Sequence, residues 1–223
     1  MCGGINDHSS LIEGTIYVKC YRCNLTYASF ELSNQYVYRQ FLESDLTYAE
    51  LIDRYATQRN ERTQEAINIV ANLPRCDGAL IVGSGAGFIY HEMRAVYGSW
   101  RQRLYGFDAS ARKLDLSRDL FDYKQRTYYS LAEEIEFVNK FDIVLVNNVL
   151  SWVESPIHLM SRMNRAARNG LFLFVRRINP LEAKKAYRIL WDKESLIDLL
   201  DFTLGPIATL EEDEKYYIIR YIK

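Results

Sequence analysis

The sequence has no apolar run that approaches the roughly 18 to 20 consecutive residues a membrane span requires, which excludes a helical anchor. The opening Met1-Cys2-Gly3-Gly4-Ile5-Asn6-Asp7 also lacks the basic-then-apolar order of a secretion signal, so a cytoplasmic protein is expected. Net charge is scarce as well: at −1 the chain exerts no long-range attraction on nucleic acid or an acidic membrane, and no nucleic-acid partner is expected. Four cysteines, three of them bunched near the start, are too few for a secreted disulfide scaffold of this length. Internal repeats and low-complexity segments are missing too. What remains is a chain of 223 residues, 48% hydrophobic and 26% charged, enough for one sizeable α/β domain and a small appendage.

From Ala79 onward, apolar runs with strand character alternate with helical periods. Ala79–Val82 is followed by a helix through Ile89, Met93 and Val96, then Arg103–Phe107, a helix from Ser110 to about Tyr123, and Tyr128–Ser130. Parallel strands need such crossovers. Phe141–Asn147 is apolar on both faces, as a central strand must be. Ser155 and Pro156 read as the cap and first position of the next helix, and Asn169-Gly170 as its stop before a strand at Leu171–Val175. Asp192 caps a helix carrying Leu196, Ile197, Leu199 and Leu200. Phe202–Leu210 and Tyr216–Ile222 then flank an acidic hairpin tip, Glu211 to Glu214. Ahead of Ala79, Thr47 and Glu50 form a capping box that starts helical periods running to Pro74.

The informative stretch is Ala79-Leu-Ile-Val-Gly-Ser-Gly-Ala-Gly87, a strand breaking into three alternate glycines, with Asp108 at the end of the next strand. Glycines let the backbone turn tightly and bring its N–H groups to a ligand, and a carboxylate at the neighbouring strand tip can accept two ribose hydroxyls, so a nucleotide-like cofactor is expected. A dinucleotide fingerprint would need its third glycine where Phe88 stands, which disfavours NAD or FAD.

With Tyr105-Gly-Phe-Asp-Ala-Ser110, Phe141-Asp-Ile-Val144 and Leu150-Ser-Trp-Val-Glu-Ser-Pro156 following in order, the chain from about Gly78 to Val175 resembles the class I S-adenosylmethionine-dependent methyltransferases. The resemblance implies a doubly wound, mostly parallel seven-stranded, Rossmann-like sheet over 46–223, preceded by an N-terminal segment over 1–45. It implies S-adenosylmethionine as cofactor, held by Gly83, Ser84, Gly85, Gly87, Asp108 and Ala109, with Leu131 and Ala132 near the adenine and Asn147 near the sulfonium. Two positions depart from the family: Ile81 and Leu131 stand where carboxylates are usual. That leaves a second reading open, a methyltransferase fold kept as a catalytically inactive binding or regulatory subunit.

Cys20-x-x-Cys23 has the shape of a zinc knuckle, and with Cys2 upstream the start of the chain resembles the zinc ribbon that opens some methyltransferases. Structural zinc needs four ligands, so His8 or a residue beyond Met1 would have to complete Cys2, Cys20 and Cys23; otherwise these are a ribbon remnant or reduced thiols. Methyl transfer needs little beyond alignment of the acceptor, plus a base when the acceptor carries a proton. Candidates for that base are Glu154, His158 and Tyr55, with Trp152 as an apolar wall and Arg176 and Arg177 facing an anionic substrate. Asn147-Asn148-Val149-Leu150 lacks the proline and aromatic of nucleobase methyltransferases, so a small-molecule, sugar or lipid-precursor acceptor is expected, and a protein partner or homo-oligomer stays open.

Overall fold

The computed structural model describes residues 6–12, 15–20, 26–28, 47–72, 78–96, 104–121, 127–177, 189–205 and 209–223. Its elements run β1 (Asn6–Ile12), β2 (Thr15–Cys20), β3 (Thr26–Ala28), α1 (Tyr48–Asn72), β4 (Ala79–Val82), α2 (Phe88–Val96), β5 (Leu104–Asp108), α3 (Ala111–Phe121) and β6 (Thr127–Tyr129). A short 3₁₀ turn at Ala132–Glu134 leads to β7 (Phe141–Asn147), α4 (Pro156–Ala166), β8 (Ala167–Arg176), β9 (Ile189–Leu190), α5 (Lys193–Thr203), β10 (Thr209–Glu212) and β11 (Tyr216–Ile222).

Seven strands form one sheet in the order β10-β11-β8-β7-β4-β5-β6. Pairing is parallel from β8 to β6, and β11 alone runs against its neighbours. The chain steps from β4 outward to β5 and β6, then returns to lay β7 on the other side of β4. That reversal opens a crevice beyond the carboxyl ends of β4 and its neighbours, the place where such sheets take ligands.

Alternation along the strands divides the interior in two. Leu80, Val82, Val144, Val146, Leu171 and Leu173 join Leu159, Met163, Leu196 and Leu200 of α4 and α5 in a large cluster on one face. Ala79, Ile81, Ile143, Leu145, Phe172 and Phe174 meet Ala66 of α1 and Ile89, Tyr90 and Met93 of α2 on the other. Strand β7 is buried at all seven positions, as its unbroken apolar run requires. Asn147 at its end is polar, and so is Asp142 near its start. Asp142 Oδ2 accepts from Gly78 N at 3.1 Å and its Oδ1 from Arg168 Nη1 at 3.1 Å, tying the amino-terminal ends of β4, β7 and β8 together.

The helix starts follow their sequence signals. Thr47 Oγ1 accepts from Glu50 N at 3.3 Å while Glu50 Oε2 takes the Thr47 N–H at 2.6 Å, a reciprocal box at the head of α1. Hydrogen bonding from Thr47 holds the Glu50 carboxyl below its ordinary pKa. Ser155 accepts from His158 N at 3.4 Å with Pro156 at the first position, and Asp192 accepts from Ser195 N at 2.8 Å.

Several boundaries differ from the sequence expectation. Helix α4 stops at Ala166, and Asn169-Gly170 lies inside β8, where a Cβ on Gly170 would come within 2.8 Å of the Tyr221 carbonyl oxygen of β11. The glycine is there for strand packing, and it does not end a helix. Phe202 and Thr203 belong to α5, β10 starts only at Thr209, and Glu211 and Glu212 are in that strand, Glu211 meeting Arg220 at 2.9 Å. The hairpin tip is organised instead by Asp213, whose Oδ1 accepts from Lys215 N and Tyr216 N at 2.7 and 2.6 Å.

A second, four-stranded sheet has the order β1-β2-β3-β9. Strands β2 and β3 lie on either side of the expected knuckle, whose residues 21–25 fall outside the described ones, as do Cys2 and Cys23. Strands β1 and β9 were not anticipated. Through β9 the N-terminal strands join the main domain, because Tyr27 pairs with Ile189 and Ile189 N donates to Ser151 O at 3.2 Å, just beyond β7. No helix among the described residues is long and apolar enough to cross a membrane.

Gly170→Ala should lower the melting temperature by several degrees. The clash is with backbone, overpacking of this kind costs about 1–3 kcal/mol, and a chain of this size loses about 2–4 °C per kcal/mol. Thermal denaturation checks this; an unchanged midpoint would show that β8 and β11 can separate without cost.

Candidate cofactor site

Three strand ends converge at the crevice. After Val82 the chain bends so that Gly83 N and Ser84 N both donate to Phe107 O of β5, at 2.8 and 3.1 Å. Gly83 has φ +80°, and a Cβ on it would stand 2.3 Å from Val149 Cγ2 and 2.7 Å from Asn147 O, so the bend lies directly against the end of β7. Gly85 differs: its φ is +56°, and an added Cβ would meet nothing within 4 Å. Gly87 packs on α3, where a Cβ would come within 2.4 Å of Ser117 Oγ. Of the three alternate glycines, then, Gly83 and Gly87 are demanded by the protein itself, whereas Gly85 leaves bare backbone facing open space. Packing against β7 and α3 accounts for Gly83 and Gly87, and no packing contact accounts for Gly85.

Asp108 completes the arrangement from the end of β5. It is 8% exposed, and its Oδ2 accepts from Gly85 N at 2.7 Å while Oδ1 accepts from Ser110 N at 2.9 Å. Backbone N–H bonds of this kind are what make a desolvated carboxylate tolerable. Each carboxylate oxygen has two acceptor positions, so one on each is left for a vicinal pair of hydroxyls. Ser84 is buried beneath the loop over Gly106, and Ala109 is half-buried after Asp108.

At the end of β7, Asn147 is 7% exposed and its Oδ1 accepts from Asn148 Nδ2 at 3.1 Å. Asn148 takes the left-handed conformation, φ +55°, and its Oδ1 accepts from Arg176 N at 3.0 Å, stapling the tips of β7 and β8 together. Leu131 is half-buried and Ala132 buried after β6, the strand that pairs with the Asp108 end of β5. Gly83, Ser84, Gly85, Asp108 and Asn147 are thus brought together at one edge.

The remaining candidates spread more widely. Trp152 is half-buried and its N–H bonds Val149 O at 2.9 Å; Glu154 and His158 are exposed at the start of α4. His158 is in the first turn of that helix. Arg176 ends β8 and Arg177 follows it, both exposed, and Arg177 is engaged with the hairpin, donating to Asp213 O at 2.6 Å over the Tyr217 ring. Tyr55 belongs to α1, where its hydroxyl donates to Glu92 Oε1 of α2. Ile81 is fully buried in the face that α1 and α2 cover, so no carboxylate occupies the strand just before the loop. Among the described residues no group of His, Cys, Asp and Glu is arranged to hold a metal ion.

Sequence reading passed over Glu92 and the ring cluster beside it. Tyr55 stacks on Phe88 with centroids 4.2 Å apart, Phe121 stands edge-on to both, and His91 stacks on Phe121 at 4.4 Å. The available signal was the i, i+4 spacing of Phe88 and Glu92, which puts an acid on a face otherwise pointing inward.

With that geometry in place, residues 80–175 match the methyltransferase-domain family. No curated protein matches the chain. Among solved structures, it is similar to a SAM-dependent methyltransferase from Thermotoga maritima at 15% identity, covering 85% of this chain and 99% of that one with a TM-score of 0.59. A phosphoethanolamine N-methyltransferase from Haemonchus contortus, in complex with S-adenosyl-L-methionine, gives 18% identity and a TM-score of 0.62 over 78% of this chain and 45% of that one. The plantazolicin methyltransferase, in complex with S-adenosylhomocysteine, gives 14% identity and 0.57 over 86% and 95%. Residues 80–175 are thus similar to a methyltransferase-domain family, and the chain shares the fold of these solved methyltransferases.

Two outcomes are expected. Gly83→Ala should destabilise the fold by about 1–3 kcal/mol. Gly85→Ala meets no atom and should cost only the roughly 1–2 kcal/mol of a left-handed alanine while sharply weakening S-adenosylmethionine binding. Calorimetry beside thermal denaturation separates them, and a Gly85→Ala protein that binds as well as the parent would empty the loop of its ligand role. The second outcome concerns pH. Burial, opposed by Glu92 and assisted by Arg94 and Arg59, lowers the pKa of His91, so between its folded value and about 6.5 the unfolded chain binds more protons. This contribution to stability is present above about pH 6.5 and is lost as pH falls through the folded value. His91→Gln should flatten that part of a melting-temperature profile between pH 7.5 and 5; an equally steep profile would contradict it.

Proposed function

We propose that this chain transfers a methyl group from S-adenosylmethionine to a small-molecule, sugar or lipid-precursor acceptor. The observation that carries the reading is the pairing of Gly85, with open space on its Cα face, and the Asp108 carboxylate 2.7 Å from its N–H. When bound, S-adenosylmethionine supplies an electrophilic methyl group on a sulfonium. Asp108 accepts the two ribose hydroxyls, Gly83 to Gly87 with Ser84 lie along the amino acid portion, Ala109, Leu131 and Ala132 border the adenine, and Asn147 stands at the sulfonium. Because these groups are fixed by strand ends and backbone bonds, little reorganisation accompanies binding.

On the acceptor side, Trp152 forms an apolar wall, Arg176 meets an anionic group, and Arg177 supports it from the hairpin. Glu154 or His158 takes the proton where the acceptor carries one. Both are exposed in the described residues, so the acceptor reaches them from solvent. Tyr55 donates its hydroxyl proton to Glu92, which suits a wall better than a base. The domain covers 46–223, and β3 of the N-terminal segment 1–45 pairs with β9, whose Ile189 meets Ser151 just beyond β7. The knuckle cysteines Cys2, Cys20 and Cys23 enter no step. The cytoplasm, where S-adenosylmethionine is made and used, is the compartment this reading expects.

S-adenosylmethionine at about a hundred times its Kd should stabilise the protein by about 2.7 kcal/mol, a rise of roughly 5–10 °C in melting temperature. Asp108→Asn should weaken binding roughly thirty- to hundredfold, as expected for losing one charge-assisted hydrogen bond or two. No shift with the parent protein at millimolar ligand would overturn the cofactor assignment. A shift without release of S-adenosylhomocysteine on any acceptor would favour the non-catalytic binding subunit.

A further inference from the structure

The least expected group in the described structure is Glu92. It sits in the middle of α2 and is 4% exposed, yet none of the steps above uses it. Its Oε1 accepts from the Tyr55 hydroxyl, its Oε2 accepts from Thr63 Oγ1 at 2.9 Å, and Arg59 Nε lies 3.8 Å from Oε1. Tyr55, Arg59 and Thr63 recur every four residues on α1, so a single carboxylate gathers one whole stripe of that helix. A core serving stability alone would be served as well by apolar residues, because desolvating a carboxylate costs several kcal/mol that its partners only offset. What the carboxylate adds is direction.

That direction leads to the glycine loop. The Tyr55 ring is held from two sides, by Glu92 at its hydroxyl and by Phe88 across its face at 4.2 Å with the planes 13° apart. Phe88 is the first residue of α2 and follows Gly87 directly. Phe121, edge-on to both rings, also lies 3.3 Å from where a Cβ on Gly87 would stand. Helix α1 is thereby pinned where the loop becomes a helix, on the side of the sheet where Ile81 leaves the strand without a charge.

We propose that Glu92 is a positioning residue: its carboxylate latches Tyr55 onto Phe88, so that the amino-terminal half of α1 closes over the glycine loop and covers the amino acid end of the bound cofactor. The inference rests on the cofactor reading above. Asp108 commits the tip of β5 to the ribose, and what the Tyr55 wall adds is cover for the aminocarboxypropyl chain that lies along Gly83 to Gly87. No bond to the ligand is assigned to Glu92. Its effect passes through Tyr55, and breaking the latch should mainly speed ligand escape.

The test compares two probes in the full chain. S-adenosylhomocysteine has the amino acid end and 5′-methylthioadenosine lacks it, while both carry the ribose and adenine. Tyr55→Phe removes the hydroxyl and keeps the stacked ring; Glu92→Gln keeps the volume and removes the charge. Each should weaken S-adenosylhomocysteine about tenfold, chiefly through a faster koff, and change 5′-methylthioadenosine less than twofold. Asp108→Asn should weaken both probes alike. A merely structural Glu92 would lower the melting temperature of both latch variants and leave Kd and koff for S-adenosylhomocysteine as in the parent, which would overturn the proposal. Equal weakening of the two probes would also overturn it, because the latch would then serve the whole site. If the parent protein binds neither probe, the cofactor reading falls as well. Should Glu92→Gln fail to fold, Tyr55→Phe carries the comparison alone.

Discussion

The bond from Gly85 N–H to the Asp108 carboxylate is the constraint on which the site depends. It ties the backbone just past β4 to the tip of β5, and it does so with a charge that is 8% exposed. A desolvated carboxylate there relies on the peptide N–H groups that face it: Ser110 supplies one from the same strand end, and the loop that turns at Gly83 with a positive φ supplies the other from Gly85. The turn in turn requires the close approach to Asn147 O and Val149 of β7. One hydrogen bond therefore enforces the relative placement of three strand ends.

Three acids are buried among the described residues, and each is made tolerable differently. Asp142 is shared between the Gly78 N–H and Arg168 at the amino-terminal edge of the sheet, where it holds strands in register and faces no crevice. Asp108 is held by backbone at the opposite edge and keeps acceptor capacity in hand. Glu92 is held by side chains of another helix. Backbone donors on strand ends are rigid and suit a group that must be in place beforehand; side-chain donors on α1 can part from it and suit an element that moves. The two faces of the sheet differ in the same sense: α4 and α5 bury a large apolar cluster with Leu159, Met163 and Leu196 at 0% exposure, whereas α1 pairs with α2 through hydroxyls, a carboxylate and stacked rings.

Where the signal was local, the fold was legible in the sequence. The capping box at Thr47, the Ser155 cap, the doubly apolar β7 and the glycine bend all depend on residues within a few positions of one another, and they stand where expected. The failures share the opposite cause. Gly170 answers to the Tyr221 carbonyl some fifty residues away, β9 is two residues long and exists only because β3 lies beside it, and Glu92 meets a tyrosine 37 positions earlier. None of these is encoded in a window of ten residues. At the site itself, Gly83, Gly85 and Asp108 could be assembled from their spacing, but the order in which α1 closes over them could not.

The glycine pattern illustrates how much of such a motif speaks of the ligand. Three glycines with the same left-handed backbone occupy alternate positions, yet a Cβ at Gly83 would strike β7 and one at Gly87 would strike α3. Those two record how tightly this sheet packs its first crossover, and a protein with this packing and no cofactor would need them equally. Gly85 is under no such compulsion. Its φ of +56° favours glycine whatever the space around it, and the open space beside its Cα is where we propose that the cofactor lies. The same reasoning bears on Ile81: with 0% exposure in the α1–α2 face, it shows that this chain gave the strand position to packing and left the charge on that side to Glu92, one helical turn beyond the loop.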